Sequence, residues 1–335
     1  MELSLPRVIF GSSSLGNLYQ ALSKDEKFSL LDEIFLRAPG KAALDSAGKY
    51  GAGLALEVLG RYLREKRVPH GKVLISNKLG WYRVPLKTRE PTFEPGIWKE
   101  IGYDAEQRIG YKGIIECWEQ GCELLGSGYE PDLLSIHDPD EYLFAAGSPG
   151  ERKERFRDIL DATRGLFELK KKGRAAGIGM GAKDWTVIAE VLGEVSLDWI
   201  MIAGSYTVYR HPAEVSSFLD SCRKKGITVV NSAVFHSGFL TGGPHFDYKP
   251  VDPASGDGQK LIRWRDNFRD VCERNGVTTA HACVQFGLRH PAIAGIALNT
   301  TRRERVEENV RMAETALPKE FWDDLAGIPA DGGFQ

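Results

Sequence analysis

Cysteine is scarce and follows no pattern. The 335 residues hold five, Cys117, Cys122, Cys222, Cys272 and Cys283, with no C-x-x-C among them. An odd, scattered set makes neither a disulfide framework nor a zinc-finger spacing, and it fits a reducing, cytoplasmic setting. A surplus of either charge is lacking too: 44 Lys and Arg face 46 Asp and Glu, a formal net charge of −2. Nucleic-acid binders carry a basic excess or a basic face, so that role is not expected. No run approaches the ~18 apolar residues of a membrane span. The opening stretch from Met1 to Arg7 has no charged segment leading into an apolar one, so no secretory leader is expected. The histidines show no ligand spacing, and no metal is expected.

What the sequence does have is a repeat of short apolar runs and longer amphipathic stretches. The runs at 7–11, 42–45, 73–77, 132–136, 176–179, 198–202, 228–231 and 293–298 read as strands. Apolar residues at three- and four-residue spacing mark helices at 54–66, 113–125, 151–172, 186–192, 213–225, 261–274, 280–289 and 303–316. Ser23-Lys24-Asp25-Glu26 has the form of a capping box opening a further helix. Strands apolar throughout are covered on both faces, which means a parallel sheet. Eight βα units predict a (β/α)₈ barrel as one domain over residues 1–335; a doubly wound open sheet is the competing architecture. Two irregular insertions, 81–111 and 241–258, follow the third and seventh strands, on the side where barrels build their sites. Gly177-Ile178-Gly179-Met180-Gly181, with Asp198 about twenty residues on, mimics a dinucleotide fingerprint. It lacks the G-x-G-x-x-G spacing, and close backbone approach explains its glycines as well.

The ends of strands two, three and four carry Asp45 and Tyr50, Lys78, and His137. Taken singly, each has a bland reading: a helix cap, a turn, a solvated strand end, a buried histidine bonded to backbone. In a barrel, however, consecutive strand ends open on one mouth, and the four types make sense together. A phenol titrates near ~10, too high for proton transfer at neutral pH unless a nearby cation favours its ionised form. Lys78 supplies that cation, Asp45 holds the ammonium, and His137 orients a substrate oxygen. The combination predicts a phenolic acid/base over a carbonyl or an alcohol.

Those segments resemble the aldo-keto reductases: Asp45-Ser46-Ala47-Gly48-Lys49-Tyr50-Gly51, Ser76-Asn77-Lys78-Leu79-Gly80 and Ile136-His137-Asp138-Pro139-Asp140. Ser237-Gly238-Phe239-Leu240 and Arg305-Val306-Glu307-Glu308-Asn309 extend the match over nearly the whole chain. Leu79-Gly80-Trp81, Ala203-Gly204-Ser205-Tyr206-Thr207 and Phe235-His236-Ser237-Gly238 are similar to the sugar 1-dehydrogenase branch, with its L-fucose, D-threo-aldose, L-galactose and pyridoxal dehydrogenases. The resemblance implies a (β/α)₈ barrel, an Asp–Tyr–Lys–His tetrad and a nicotinamide cofactor, NAD or NADP. It assigns Tyr50 to proton transfer, Lys78 and Asp45 to its tuning, and His137 to the substrate. It places Gly11 and Ser12 beside the nicotinamide, Ser237, Gly238, Phe239 and Leu240 around the pyrophosphate, and Arg305 and Asn309 at the adenine end. Trp81 becomes a wall of the substrate pocket, and His236, in the loop after the seventh strand, a candidate substrate contact. Two departures stand out: Gly179-Met180-Gly181-Ala182 and Ala203 occupy positions where many relatives hold the carboxamide with Ser-Asn and Gln. Asn299-Thr300-Thr301 replaces the basic residue of many NADP-dependent members, which leans towards NAD, although Arg302 and Arg303 could meet a 2′-phosphate.

The reading is an oxidoreductase that takes an aldose at C1 to its lactone. A general aldehyde or ketone reductase and a pyridoxal-type dehydrogenase are alternatives within the same chemistry, and a nicotinamide-binding regulatory subunit is one of another class. A small-molecule substrate and a monomer or homodimer are expected, with neither nucleic acid nor membrane as partner. The aromatic first insertion, with Trp81, Tyr82, Trp98 and Tyr103, suits stacking on a sugar ring.

Overall fold

In the computed structural model, residues 3–328 are described; residues 1, 2 and 329–335, the ends of the expected domain and the first two residues of the stretch read as no leader, lie outside them. Twelve strands are present among the described residues: β1 Val8–Gly11, β2 Ala42–Ala47, β3 Val73–Leu79, β4 Trp81–Pro85, β5 Tyr103–Gln107, β6 Leu133–His137, β7 Gly177–Ala182, β8 Trp199–Ala203, β9 Thr228–Ser232, β10 His245–Phe246, β11 Lys249–Pro250 and β12 Ile293–Leu298. Eight of them, in the order β1-β12-β9-β8-β7-β6-β3-β2, close a parallel barrel. β1 pairs with both β2 and β12, which removes the open-sheet alternative.

Alternation along each strand sends every second side chain inward. Ile9, Ala43, Leu133, Trp199, Met201 and Val230 form a buried cluster of their own inside the barrel. Towards the C-terminal ends the inward positions turn polar: Asp45 on β2, Ser76 and Lys78 on β3, Ser135 and His137 on β6. The glycines of β7 answer a steric demand. A Cβ on Gly179 would stand 2.5 Å from the Trp199 carbonyl oxygen and 2.6 Å from its ring, and one on Gly181 would touch the Lys78 stem at 3.5 Å. The fingerprint mimic is therefore room made for Trp199 and Lys78.

Outside the barrel, helix faces pack on Leu44, Ile75, Leu134, Ile136, Ile178, Ile200 and Val229, the outward strand positions. The Ser23 box forms as expected: its hydroxyl accepts from Glu26 N–H at 3.2 Å, and Glu26 Oε2 accepts from Ser23 N–H at 2.7 Å, opening the helix Lys24–Arg37. Trp264 and Phe268, on one helix face, are buried and stacked at 5.3 Å as packing. Several features were not legible. The first insertion folds into an antiparallel hairpin, β4 on β5, and the second carries the short hairpin β10–β11. A helix Pro139–Phe144 follows β6 directly; six residues are too few to display a period.

Candidate active site

The mouth is built on β1, β2 and β3. Ser12 N–H donates to the Asp45 carbonyl at 2.9 Å, locking the β1 exit to β2. Tyr50 stands in a run of turns after β2, with its N–H on the Ala47 carbonyl at 3.1 Å. Gly51 follows at φ +62°, so close to the 3₁₀ turn Ser13–Gly16 that a Cβ would fall 2.3 Å from the Gly16 carbonyl oxygen. Only glycine fits both the left-handed conformation and the approach, and this fixes the stem of Tyr50.

The four residues named from the sequence do meet. Lys78 Nζ forms an ion pair with Asp45 Oδ2, while Ser76 Oγ donates to Asp45 Oδ1 at 3.2 Å. Both partners of the pair are almost fully buried, and the Lys78 ammonium lies 4.7 Å from the centre of the Tyr50 ring. His137 meets that ring edge-on, with centroids 5.6 Å apart at 86°. Burial alone would lower the Lys78 pKa, but Asp45 and Tyr50 outweigh it and hold the ammonium above its ordinary range. Burial drives the His137 imidazole well below its usual value, with Lys78, Lys49 and Lys183 pushing the same way against Asp138. His137 is therefore neutral, and its buried Nδ1 has no partner in the protein.

For Tyr50 the structure corrects the expected direction. Lys78 does favour the phenolate, but burial, reinforced by Asp45 and Tyr248, wins and pushes the phenol up to about 12. A group withdrawn from water resists charge, and the ammonium is already shared with Asp45.

Trp81 belongs to an aromatic group around Tyr50: Trp81 to Phe93 at 5.9 Å, Phe93 to Trp98 at 6.3 Å and Trp98 to Tyr50 at 5.9 Å. Tyr82 and Tyr103 do not join it. They lie under the guanidinium groups of Arg108 and Arg83, at 3.8 and 4.3 Å. His236 is also placed differently from the expectation. Its Nε2 pairs with Thr207 Oγ1 at 2.8 Å, its Nδ1 with Asp247 Oδ1 at 2.7 Å, and its ring stacks on Phe246. With both nitrogens engaged, His236 ties the β10–β11 hairpin to the loop after β8 and offers no hydrogen bond to a substrate.

Ser12, beside inward-facing Gly11, has a buried hydroxyl without a partner, a polar atom free for the nicotinamide end. In the 237–240 loop, the N–H groups of Gly238 and Leu240 donate to the Phe235 carbonyl and that of Phe239 to the His236 carbonyl, just upstream. Ser237 Oγ accepts from Tyr248 N–H at 2.8 Å, and Phe239 and Leu240 are buried. Backbone wrapping of a pyrophosphate is not preformed there. The cation at hand is one the sequence did not single out, Arg265, whose guanidinium lies 4.5 Å from the Phe239 ring. On the helix Glu304–Glu314, Arg305 is exposed and Asn309 buried one turn later. Arg303 is engaged by Ser29 and Glu33, while Arg302 is exposed. Taken together these residues fit a nicotinamide dinucleotide: Ser12 would serve its nicotinamide end, and Arg265 and the exposed Arg302 and Arg305 would supply positive charge for its phosphates. No group of three or more potential ligands able to hold a metal ion exists among the described residues. Nor is any helix there long and apolar enough to cross a membrane.

The sequence model of the Aldo/keto reductase family matches residues 7–329. The chain belongs to that family. This aldo-keto reductase is 29% identical to a pyridoxal 4-dehydrogenase of Microbacterium luteolum, over 96% of the chain and 94% of that protein. It is 26% identical to a D-threo-aldose 1-dehydrogenase of a Pseudomonas species, over 97% and 94% of the two. Among solved structures, a glycerol dehydrogenase of Gluconobacter oxydans superposes with a TM-score of 0.71 at 18% identity, over 100% of this chain and 97% of the other, a likeness of fold. The chain is thus an oxidoreductase of a family that works with NAD(P).

Proposed function

We propose that this aldo-keto reductase oxidises an aldose at C1, passing hydride to NAD or NADP while Tyr50 takes the hydroxyl proton. The observation that carries the reading is the meeting of Tyr50 with the Lys78–Asp45 pair and neutral His137 at one barrel mouth. When bound, the nicotinamide supplies the hydride acceptor. His137, uncharged and with an unpaired nitrogen, holds the substrate oxygen by a hydrogen bond without competing for its proton. Lys78 stays charged and stabilises the phenolate whenever Tyr50 gives up its proton. Pushed up to about 12, the phenol is a ready proton donor for the reverse, carbonyl-reducing direction. In the oxidising direction Tyr50 must first give its own proton to solvent, and it is the resulting phenolate, stabilised by Lys78, that takes the hydroxyl proton.

The sugar assignment rests on the aromatic group Trp81, Phe93 and Trp98 beside Tyr50, which suits the apolar face of a pyranose, and on likeness to the aldose 1-dehydrogenase. A pyridoxal-type reaction is the second reading, favoured by the relative at 29% identity, since the same wall accepts a pyridine ring. The test is a panel of free aldoses, pyridoxal and simple aldehydes, each with NAD and with NADP, followed by nicotinamide absorbance. Lactone formation from an aldose is the expected result. Turnover confined to pyridoxal would transfer the assignment, and activity on simple aldehydes alone would refute both. Turnover without any added protein also counts against a purely regulatory barrel. All five cysteines are free, in keeping with the proposed cytoplasmic setting.

A further inference from the structure

The residue before Tyr50 is a lysine that barely reaches solvent. Lys49 is 3% exposed, and its ammonium contacts three carboxylates: Glu94 Oε1 at 2.9 Å, Asp138 Oδ2 at 3.0 Å and Glu141 Oε2 at 3.0 Å. It also lies 5.0 Å from the centre of a Trp81 ring. A buried lysine with this much opposing charge is held protonated, and each partner leads somewhere useful. Asp138 is the neighbour of His137 and adopts φ +49°, a strained conformation for a residue other than glycine. Its Oδ2 lies 3.6 Å from His137 Nε2. Glu94 belongs to the first insertion, and its second oxygen accepts from Trp98 Nε1–H at 2.8 Å. Trp98 lies against Tyr50, and so does His137. Two circuits therefore start at Lys49 and return to the adjacent residue, one through Asp138 and His137, the other through Glu94 and Trp98.

We propose that Lys49 is a positioning residue for the reaction, its ammonium closing two circuits of contacts that set His137 and Trp98 around the Tyr50 ring. This rests on the reading of Tyr50 and His137 as the groups that meet the substrate. Lys49 also acts on charge. Asp138, Lys78 on β3, Lys49 after β2 and Lys183 after β7 act on His137, and the Tyr50 ring lies against it; Glu94, Glu141 and Tyr248 reach the cluster through Lys49, Asp138 and Lys183. Lys183 pairs with Glu141 on the far side of the cluster. Removing Lys49 takes away one cation that disfavours the imidazolium and leaves Asp138 less neutralised beside it. Both changes raise the His137 pKa.

The test compares wild type with Lys49→Met, Lys49→Arg and Glu94→Gln. Imidazole ¹⁵N NMR titration reads His137 directly, and kcat and KM are taken against pH with the best substrate of the panel. Wild-type His137 is held neutral well below the usual imidazole range by its burial. Lys49→Met is expected to raise its midpoint by about one pH unit or more, to lower kcat at least tenfold, and to add an acid limb to the kcat/KM profile. Lys49→Arg restores the neutral imidazole and much of the turnover. Glu94→Gln opens only the Trp98 circuit, so it raises KM several-fold and leaves His137 neutral; it and Lys49→Arg carry the test should Lys49→Met not fold. Unchanged His137 titration with unchanged kcat in Lys49→Met, or wild-type KM in Glu94→Gln, overturns the proposal. A uniform loss of activity that Arg does not rescue, with His137 unmoved, overturns it too. If wild type turns over nothing in the panel, the functional reading fails, while the titration still decides the role of Lys49.

Discussion

Tyr50 and His137 share one patch of low dielectric, and it keeps both neutral for opposite reasons of sign. Burial raises an acid and lowers a base, so the phenol keeps its proton and the imidazole lacks one. For His137 this has a thermodynamic price at low pH. Its folded pKa is depressed, so below the unfolded value of ~6.5 the unfolded chain binds a proton that the folded chain refuses. Stability therefore falls as pH drops below about 6.5, by up to ~1.4 kcal/mol per pH unit for this one group. His211 and His290 are also depressed and add to the slope. Urea midpoints between pH 5 and 7 should show a shallower fall in His137→Asn than in wild type; parallel slopes would contradict the buried neutral imidazole. At this scale the residue types at strand ends were legible, because Asp45, Tyr50, Lys78 and His137 each sit where a barrel strand finishes. Lys49 was not legible as a hub, since its partners come from the first insertion, the β6 exit and the helix after it. Nor was the net direction of the Tyr50 shift, which depends on how much water burial removes.

Among the elements, β7 shows how a strand is written for its neighbours. Its glycines occupy inward positions, and Gly179 is the tightest, against Trp199 on β8. Gly179→Ala forces a methyl into backbone and indole and should cost about 1–3 kcal/mol, read as a lower urea midpoint with unchanged slope. An unaltered midpoint would mean that the β7–β8 contact yields more than rigid packing allows. The barrel strands were readable because both their faces are apolar over most of their length. The hairpins were not: β4 and β5 are separated by a long connection, and β10 and β11 are two residues each. Their positions come from tertiary contacts, such as His236 holding Asp247 and Glu94 holding Trp98. This is also why His236 looked like a substrate contact from its place in the loop, and turned out to be a tie between loops.

Over the whole molecule, closure of the barrel is what turns scattered sequence into a site. Asp45 and His137 are distant in the chain, yet β2, β3 and β6 are adjacent, so their ends converge. The net charge is near zero, at −2, and at the mouth the charges that act are local, the Lys78–Asp45 pair and the Lys49 cluster. A monomer or homodimer remains the proposed state, to be read from sedimentation equilibrium. The central claim is that the Tyr50 hydroxyl carries the proton under the influence of Lys78, and Tyr50→Phe tests it most directly. Steady-state turnover of the variant should fall by about 10²–10⁴-fold, while the nicotinamide dissociation constant, from fluorescence titration, stays within a few-fold of wild type. Turnover near the wild-type level, with the cofactor bound as before, would contradict the account.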